Sequence, residues 1–169
     1  MKTDMKYWFA FYTMSRHEFK VAKRIEEKNI EVYLPTIFSL RQWSDRIKKI
    51  TVPLLKNYVL INGTEKERLN TIQTEGVITC VSFQGKPAII PNQQIENIKK
   101  ALEFEREKVE VKDGFVKGEK IIIAAGPFVG VQGIVYFNEK NEKKLAITID
   151  ILNRSVIVTL PQESVIKIL

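Results

Sequence analysis

Cysteine is almost absent from this chain of 169 residues, since Cys80 is the only one. A single cysteine excludes an internal disulfide bond and any metal site built from several thiolates. Cys80 itself is predicted to be a small apolar residue within a strand. No apolar run reaches the length of a transmembrane helix. The N-terminal residues also lack a signal-peptide cleavage pattern, so we expect a cytoplasmic protein without a membrane association.

The residues that catalysis requires are also scarce. His17 is the only histidine, and no nucleophile stands at a readable spacing from a base. Glycines at 126, 130 and 133 superficially suggest a nucleotide-binding loop, but the Lys-Ser/Thr pair and the helix that should follow are missing. We interpret these glycines as turns between short strands. The sequence therefore predicts a protein that is not an enzyme and has no cofactor or metal.

The chain is basic, with a formal net charge of +7, and this charge is distributed unevenly. Residues 1–102 contain 17 Lys and Arg against 10 Asp and Glu, whereas residues 103–169 contain 10 of each. A concentrated positive charge steers a domain towards nucleic acid or another polyanion. The neutral C-terminal part indicates a different kind of partner, and hence two domains with two roles.

The first part of the chain alternates strands with helices. An aromatic, β-prone run predicts a buried strand over 7–13. Ser15 and Glu18 have the spacing of a capping box, which predicts that a helix over 16–28 follows. The apolar face predicted for this helix includes Phe19, Ala22 and Ile25.

Further elements complete the predicted N-terminal domain, residues 1–102. They are a strand over 31–40 bent at Pro35, a basic hairpin or loop over 41–49, a central strand over 58–61, a helix opened by a second capping box at Thr64 and Glu67, a strand over 77–83, and a third helix from Asn92 with Ile95, Ile98 and Leu102 on one face. This order predicts an α+β sandwich in which helices pack against an antiparallel sheet.

The C-terminal part has a different pattern of residues. Alternating charges over 103–113 predict a linker or a frayed end of the third helix. Residues 114–169 then contain short strands separated by glycines, which are typical of a small β-barrel. The strands are predicted over 120–124, 133–136, 144–149 and 155–160. Their β-branched residues favour a barrel over a helical refolding of this domain.

These motifs resemble, in order, those of the NusG family. Residues 8–13 and 16–22 resemble the opening strand and helix of the NusG N-terminal (NGN) domain, and residues 53–61 its central strand. Residues 118–135 are similar to the KOW module that follows it. The resemblance spans about residues 7–168. It implies an NGN sandwich followed by a KOW β-barrel in a monomeric transcription elongation and antitermination factor.

Two features resemble specialised paralogues of the RfaH and UpxY types rather than the housekeeping factor. They are the stretch over 41–46 and Asn57. Such paralogues prevent premature termination in long operons, notably those for surface polysaccharides. The family usually has Phe-Pro where this chain has Leu55 and Lys56, so Lys56 adds a charge to a patch that is otherwise apolar.

The resemblance also implies partners for particular side chains. Those implied to contact the clamp helices of RNA polymerase are Tyr12, Leu55, Tyr58 and Leu60. Those implied to contact the non-template DNA strand of the transcription bubble are Arg16, His17 and Lys20. The densest basic stretch, where a hairpin could reach upstream DNA, contains Arg41, Arg46, Lys48 and Lys49. In the barrel, Leu152 is implied to contact ribosomal protein S-ten or the termination factor Rho as an exposed apolar tip. The alternative for each is an ordinary core residue or a solvated surface charge.

Two other functions compete with antitermination. The chain could be a general RNA-binding or ribosome-associated protein, because KOW modules also occur there; the neutral C-terminal part argues against this, since an RNA-binding barrel is normally basic. A nucleic-acid enzyme would need clustered acidic residues for metal ions, and the acids here are scattered among lysines.

Overall fold

The structure is a computed structural model that describes residues 4–169, and the chain divides into two compact units. The first unit consists of the chain up to Pro35 together with Pro53–Asn92, and the second of Thr36–Val52 together with Gln93–Leu169. The helices are α1 (Glu18–Glu26), α2 (Glu65–Ile72), α3 (Asn92–Phe104) and a 3-10 turn, η1 (Asp150–Leu152). The strands are β1 (Tyr7–Thr13), β2 (Glu31–Tyr33), β3 (Thr36–Gln42), β4 (Ile47–Pro53), β5 (Tyr58–Gly63), β6 (Val77–Cys80), β7 (Ser82–Phe83), β8 (Lys86–Pro87), β9 (Ile89–Ile90), β10 (Glu110–Asp113), β11 (Glu119–Ala125), β12 (Gln132–Phe137), β13 (Lys143–Ile149), β14 (Arg154–Thr159) and β15 (Val165–Ile168).

The first unit is built on an antiparallel sheet with the strand order β2-β5-β1-β6, and β9 also pairs with β1. β1 is central and its residues are almost entirely buried, as its continuous apolar run predicts. Phe11 is fully buried and lies opposite Val59 on β5. The core continues through Val21 and Ile25 of α1. The predicted α+β arrangement with an antiparallel sheet is therefore confirmed.

The buried face of α1 differs from the prediction. Its buried residues are Glu18, Val21, Ala22 and Ile25, at the spacing of one helical stripe. Phe19 was predicted to lie on this stripe, but 47% of its surface is exposed. Phe19 stands one position away from the stripe, and the carboxylate Glu18 occupies the inward position instead.

The first capping box does not form, and α1 begins later than predicted. Arg16 has a positive φ of 63°, which turns the backbone away from Ser15 before the helix starts. His17 is the N-cap and makes no side-chain capping hydrogen bond. Glu18 cannot reach back towards Ser15 because its carboxylate accepts a hydrogen bond from the distant Asn57. The predicted helix over 16–28 is therefore Glu18–Glu26.

The second capping box is confirmed at the start of α2. The Thr64 hydroxyl accepts from the Glu67 backbone N–H at 3.2 Å, and the Glu67 carboxylate accepts from the Thr64 backbone N–H at 2.7 Å. This backbone hydrogen bond is the main reason why the pKa of Glu67 lies below its usual 4.5. The pair therefore satisfies two N–H groups that the first turn of a helix leaves without partners.

Removing this cap is expected to destabilise the first unit. Changing Thr64 to Ala should lower the free energy of unfolding by about 1 kcal/mol, which chemical denaturation measures. Because the pKa of folded Glu67 is depressed, its contribution is present above the unfolded value and is lost as pH falls through the folded value. As the pH is lowered from about 7 to about 3, the free energy of unfolding should therefore decrease less for Glu67→Gln than for wild type. Equal unfolding midpoints for Thr64→Ala and wild type would show that the cap does not stabilise the first unit.

The third helix is confirmed as α3, with Ile95, Ile98 and Leu102 buried as predicted. Within the second unit it also carries a buried polar side chain, Asn97. The Asn97 amide donates to the Gln132 carbonyl at 3.0 Å and accepts from the Gln132 N–H at 3.1 Å. A side-chain amide that matches a backbone peptide in this way leaves none of these buried groups unpaired.

The second unit contains a six-stranded antiparallel sheet with the order β10-β14-β13-β12-β11-β15, which corresponds to the predicted small β-barrel. The four strands predicted from the sequence correspond to β11, β12, β13 and β14. The prediction that 103–113 is only a linker or a frayed helix is wrong for its end, because β10 pairs with β14. All four residues of β10 are exposed, so no apolar alternation marked it as a strand. β15 was also not predicted.

The glycines that resemble a nucleotide loop serve as turns and close contacts between strands, as predicted. Gly126 and Gly130 have φ values of 101° and 84°, which residues with a Cβ rarely adopt. At Gly133 a Cβ would lie 2.5 Å from the Ala146 carbonyl oxygen of the paired strand. Neither requirement involves a phosphate.

The helices of the described part of the chain, residues 4–169, are all too short or too polar to cross a membrane.

Candidate functional site

Two tyrosines form an aromatic pair at one end of the central strands. Tyr12 on β1 lies opposite Tyr58 on β5. Their ring centroids are 5.4 Å apart at 64°, which is an edge-to-face contact. Both side chains are half-buried. Each ring is thus held by the other while part of its surface stays open to a partner.

The turn before Tyr58 is fixed by several hydrogen bonds to Asn57. Asn57 has a positive φ of 65°, and its carbonyl accepts from the Thr13 N–H at 2.8 Å. Its own N–H donates to the Glu18 carboxylate at 2.8 Å. Asparagine tolerates this left-handed conformation better than most residues do. The turn therefore ties β1, β5 and the first residue of α1 together beside the tyrosine pair.

The other two residues implied to contact polymerase are buried. Leu55 is 2% exposed and Leu60 is fully buried. The Leu55 carbonyl accepts from the Tyr58 N–H at 3.2 Å, so Leu55 is part of the same turn. Lys56 between them is exposed. The accessible residues here are Tyr12, Lys56 and Tyr58, while both leucines are buried.

Cationic residues surround the start of α1. Arg16 and Lys20 are exposed, and His17 is half-buried with its Nδ1 3.2 Å from the Ser15 carbonyl oxygen. Arg24 farther along the helix is bound to the side chain and carbonyl of Glu75. The predicted DNA-binding residues Arg16, His17 and Lys20 therefore lie close together along the chain, from just before α1 into its first turn.

Strands β3 and β4 form the predicted basic hairpin, and its four predicted DNA-binding residues do not share one environment. Arg41, Arg46, Lys48 and Lys49 are all exposed. Lys49, however, forms an ion pair with Glu107, and its ammonium lies 4.3 Å from the centroid of the Phe38 ring.

Leu152 lies in η1 and is 7% exposed, so the expectation of an exposed apolar tip is wrong. The 3-10 turn directs this side chain inward, and the adjacent Ile151 is half-buried instead. Asn153 ends the turn in the left-handed conformation. The predicted partner contact at this position stays a prediction, and Leu152 could support it only from beneath the surface.

Two residues with a place at these surfaces were not predicted. For Glu18, the sequence predicts a capping box and not a contact with the turn at Asn57. Its position on the buried stripe of α1 was the available signal that its carboxylate faces inward. Trp43, at the end of the basic hairpin, is 53% exposed. A tryptophan among cations was the available sequence signal for it.

Within residues 4–169, His, Cys, Asp and Glu nowhere form a group of three that could hold a metal ion. Cys80 is buried in β6, as predicted for a small apolar residue, and burial raises the pKa of its thiol. A raised pKa lowers the fraction of reactive thiolate.

Comparisons with known proteins identify the family. Residues 6–99 match the family described as transcription termination factor nusG. The transcription termination/antitermination protein NusG of Staphylococcus carnosus is 25% identical, with 96% of each chain covered. That of Rickettsia felis is 22% identical, covering 90% of this chain and 85% of the relative. A solved structure of Thermotoga maritima NusG is 25% identical, with a TM-score of 0.53, covering 92% of this chain and 93% of that chain.

The fold agrees with these matches. The chain has the α+β part with three helices and the β-rich C-terminal part that an NGN domain and a KOW domain require. The family match spans more than half of the 169 residues. The chain therefore belongs to the NusG family.

Proposed function

We propose that this protein is a transcription elongation factor that binds RNA polymerase and suppresses pausing or premature termination. The observation that carries the proposal is the tyrosine pair on the fixed turn. Tyr12 and Tyr58 present aromatic surface that is already ordered before a partner arrives. Ordered aromatic side chains dominate binding hot spots because they bury much area at a low cost in entropy.

The proposed contact is with the clamp helices of the polymerase. Tyr12 and Tyr58 form its surface, with the buried Leu55 in the turn before Tyr58 and the buried Leu60 two residues after Tyr58 on β5. A factor that bridges the clamp to the opposite side of the DNA channel favours the closed clamp, so paused states become less populated. The exposed Lys56 adds a charge beside the aromatic surface. We propose that the stretch over 41–46, together with Asn57, marks a specialised paralogue of the RfaH or UpxY type acting at particular operons, such as surface polysaccharide loci.

We propose that the cations contact DNA of the transcription bubble. Arg16, His17 and Lys20 would meet the non-template strand, since exposed cations bind backbone phosphates and an imidazole ring can stack on a base. The hairpin residues Arg41, Arg46 and Lys48 would contact DNA as well. The ion pair with Glu107 leaves a smaller share of this binding to Lys49.

We also propose the domain assignment and the remaining partners. Residues 1–102 would form the NGN domain, 103–113 the connection that includes β10, and 114–169 the KOW domain. The KOW domain would contact ribosomal protein S-ten or Rho near Leu152. The protein would act as a cytoplasmic monomer, because that is where bacterial RNA polymerase works.

Single-round transcription with a matched bacterial RNA polymerase tests the proposal. On a long leader template, adding the protein should increase the fraction of transcripts that pass pause and termination sites. Pull-down should recover the polymerase with the full chain. If pausing and termination are unchanged on every template and no polymerase is recovered, the proposal is wrong. General RNA binding then becomes the leading alternative.

A further inference from the structure

The hairpin of β3 and β4 ends in an exposed tryptophan. Trp43 is 53% exposed, whereas Trp8, the other tryptophan of the chain, is 4% exposed. Tryptophan buries more apolar area than almost any other side chain when it packs. More than half of the Trp43 surface is therefore open to a partner.

Three cations share one face of the hairpin with this ring. The backbone N–H of Trp43 donates to the Arg46 carbonyl at 2.8 Å, so these two residues are paired across the turn. Residues paired in this way project their side chains to the same face of a hairpin. Side chains two residues apart on a strand also share a face. Arg41 therefore lies on the side of Trp43, and Lys48 on the side of Arg46. We call these four residues the Trp43 face.

The opposite face of the hairpin is held by other contacts at its base. The Phe38 ring lies 4.3 Å from the Lys49 ammonium and 4.7 Å from the Arg106 guanidinium. The Phe38 N–H donates to the Arg106 carbonyl at 2.8 Å, and Arg106 Nε donates to the Thr36 carbonyl at 3.1 Å. The hairpin is thus fixed through its Phe38 side, which leaves the Trp43 face available for a ligand.

The charge of the Trp43 face indicates an anionic ligand. Within residues 4–169, its cations form one ion pair, in which Arg46 Nε lies 3.8 Å from the Asp45 carboxylate in the turn. Cations interleaved with an exposed aromatic ring are typical of surfaces that bind single-stranded nucleic acid. The bases of a duplex are already stacked on one another, so they offer no free face to an indole ring. A single strand offers both phosphates and free base faces.

We propose that the Trp43 face binds single-stranded nucleic acid, with the indole ring stacked on an unpaired base and the three cations on the flanking phosphates. This deepens the DNA-binding part of the proposed function, on which it rests, because it names the residue that contacts a base. It also separates the hairpin cations by role: Arg41, Arg46 and Lys48 contact the strand, whereas Lys49 fixes the hairpin.

Titration of a fluorescently labelled oligothymidylate with the full chain tests the inference without polymerase. The same strand annealed to its complement serves as the duplex probe. The variants are Trp43→Ala, Trp43→Phe and Lys48→Gln. Ile47→Ala is the matched control, because Ile47 is 63% exposed on the hairpin but lies on the other face. Thermal unfolding of each variant verifies that the fold is retained.

The two kinds of contact should give different results. Trp43→Ala should weaken binding of the single strand about ten-fold or more with an unchanged salt dependence, since stacking involves no counterion release. Trp43→Phe should recover most of the affinity, because phenylalanine keeps a ring. Lys48→Gln should reduce the slope of log affinity against log salt by about 0.7. Ile47→Ala should bind like wild type.

Wild-type affinity for Trp43→Ala, or tighter binding of the duplex than of the single strand by the wild-type chain, would overturn the inference. Read-through in transcription separates this failure from that of the proposed function. If Trp43→Ala binds the strand normally while the wild-type chain still increases read-through, only the inference falls. If the wild-type chain gives no read-through but its strand binding depends on Trp43, only the antitermination proposal falls.

Discussion

Changing Tyr58 to Ala is expected to weaken binding of RNA polymerase roughly thirty-fold or more, because truncating a hot-spot aromatic costs about 2 kcal/mol or more. The change removes the ring that forms the surface and also the partner that holds Tyr12 in an edge-to-face contact. Read-through should fall in parallel when the factor is limiting. The affinity can be measured by titrating labelled polymerase with each variant.

Two controls separate loss of contact from loss of fold. Tyr58→Phe keeps the ring and should retain most of the affinity. Tyr7→Ala removes a 38% exposed tyrosine from the opposite end of β1, so it should leave polymerase binding unchanged. If Tyr58→Ala binds polymerase as wild type does, the tyrosine pair is not the contact. Tyr58→Phe and Tyr7→Ala should unfold close to wild type, whereas Tyr58→Ala should stay folded with a modestly lower midpoint because its half-buried ring contacts Tyr12.

The strands that could be predicted are those whose side chains carry their own signal. β1 and β5 are continuous apolar runs because both faces of each strand are largely buried. β10 lacks this signal, since its four residues are exposed and it becomes a strand only by pairing with the distant β14. Such pairing depends on backbone groups, which every residue has, so residue types do not reveal it.

The sequence predicts which segments carry the candidate surfaces better than it predicts which side chains of a segment lie on the same face. The basic hairpin was expected, but only the pairing of Trp43 with Arg46 shows which cations share the ring's face. The tyrosine pair was expected from the family, whereas the burial of Leu55 and Leu60 depends on tertiary packing. A sequence indicates which residues are apolar, but burial is decided by which neighbours cover them.

Glu18 departs furthest from the role that its sequence spacing predicts, and its actual contact bears on function. The spacing of Ser15 and Glu18 indicated a local helix cap, but the carboxylate serves a backbone N–H that is 39 residues away. The capping box does not form because Arg16 turns the chain before the helix begins, and the Glu18 carboxylate contacts Asn57 instead. Glu18 thereby connects α1, which carries cations proposed to bind DNA, with the turn that carries Tyr58.

Changing Glu18 to Leu is therefore expected to impair both stability and polymerase binding. The free energy of unfolding should fall by about 1.5–3 kcal/mol, the range for a hydrogen bond to a charged group, because the Asn57 N–H loses its acceptor. A smaller loss comes from the negative charge that Glu18 places in the first turn of α1. Once the turn at Asn57 is no longer held, Tyr58 should be less ordered and polymerase affinity should decrease.

Chemical denaturation gives the first of these effects, and amide hydrogen exchange locates it. The Asn57 amide should be protected in the wild-type chain and exchange faster in Glu18→Leu, while amides in the centre of β1 keep more of their protection. Glu18→Gln retains an oxygen acceptor and should fall between the two. Glu26→Leu is the matched control, since it removes an exposed carboxylate from the same helix. If Glu18→Leu and Glu26→Leu show the same unfolding midpoint and the same Asn57 protection, the carboxylate does not hold the turn, and Tyr58 is ordered by the other hydrogen bonds of the turn and by its contact with Tyr12.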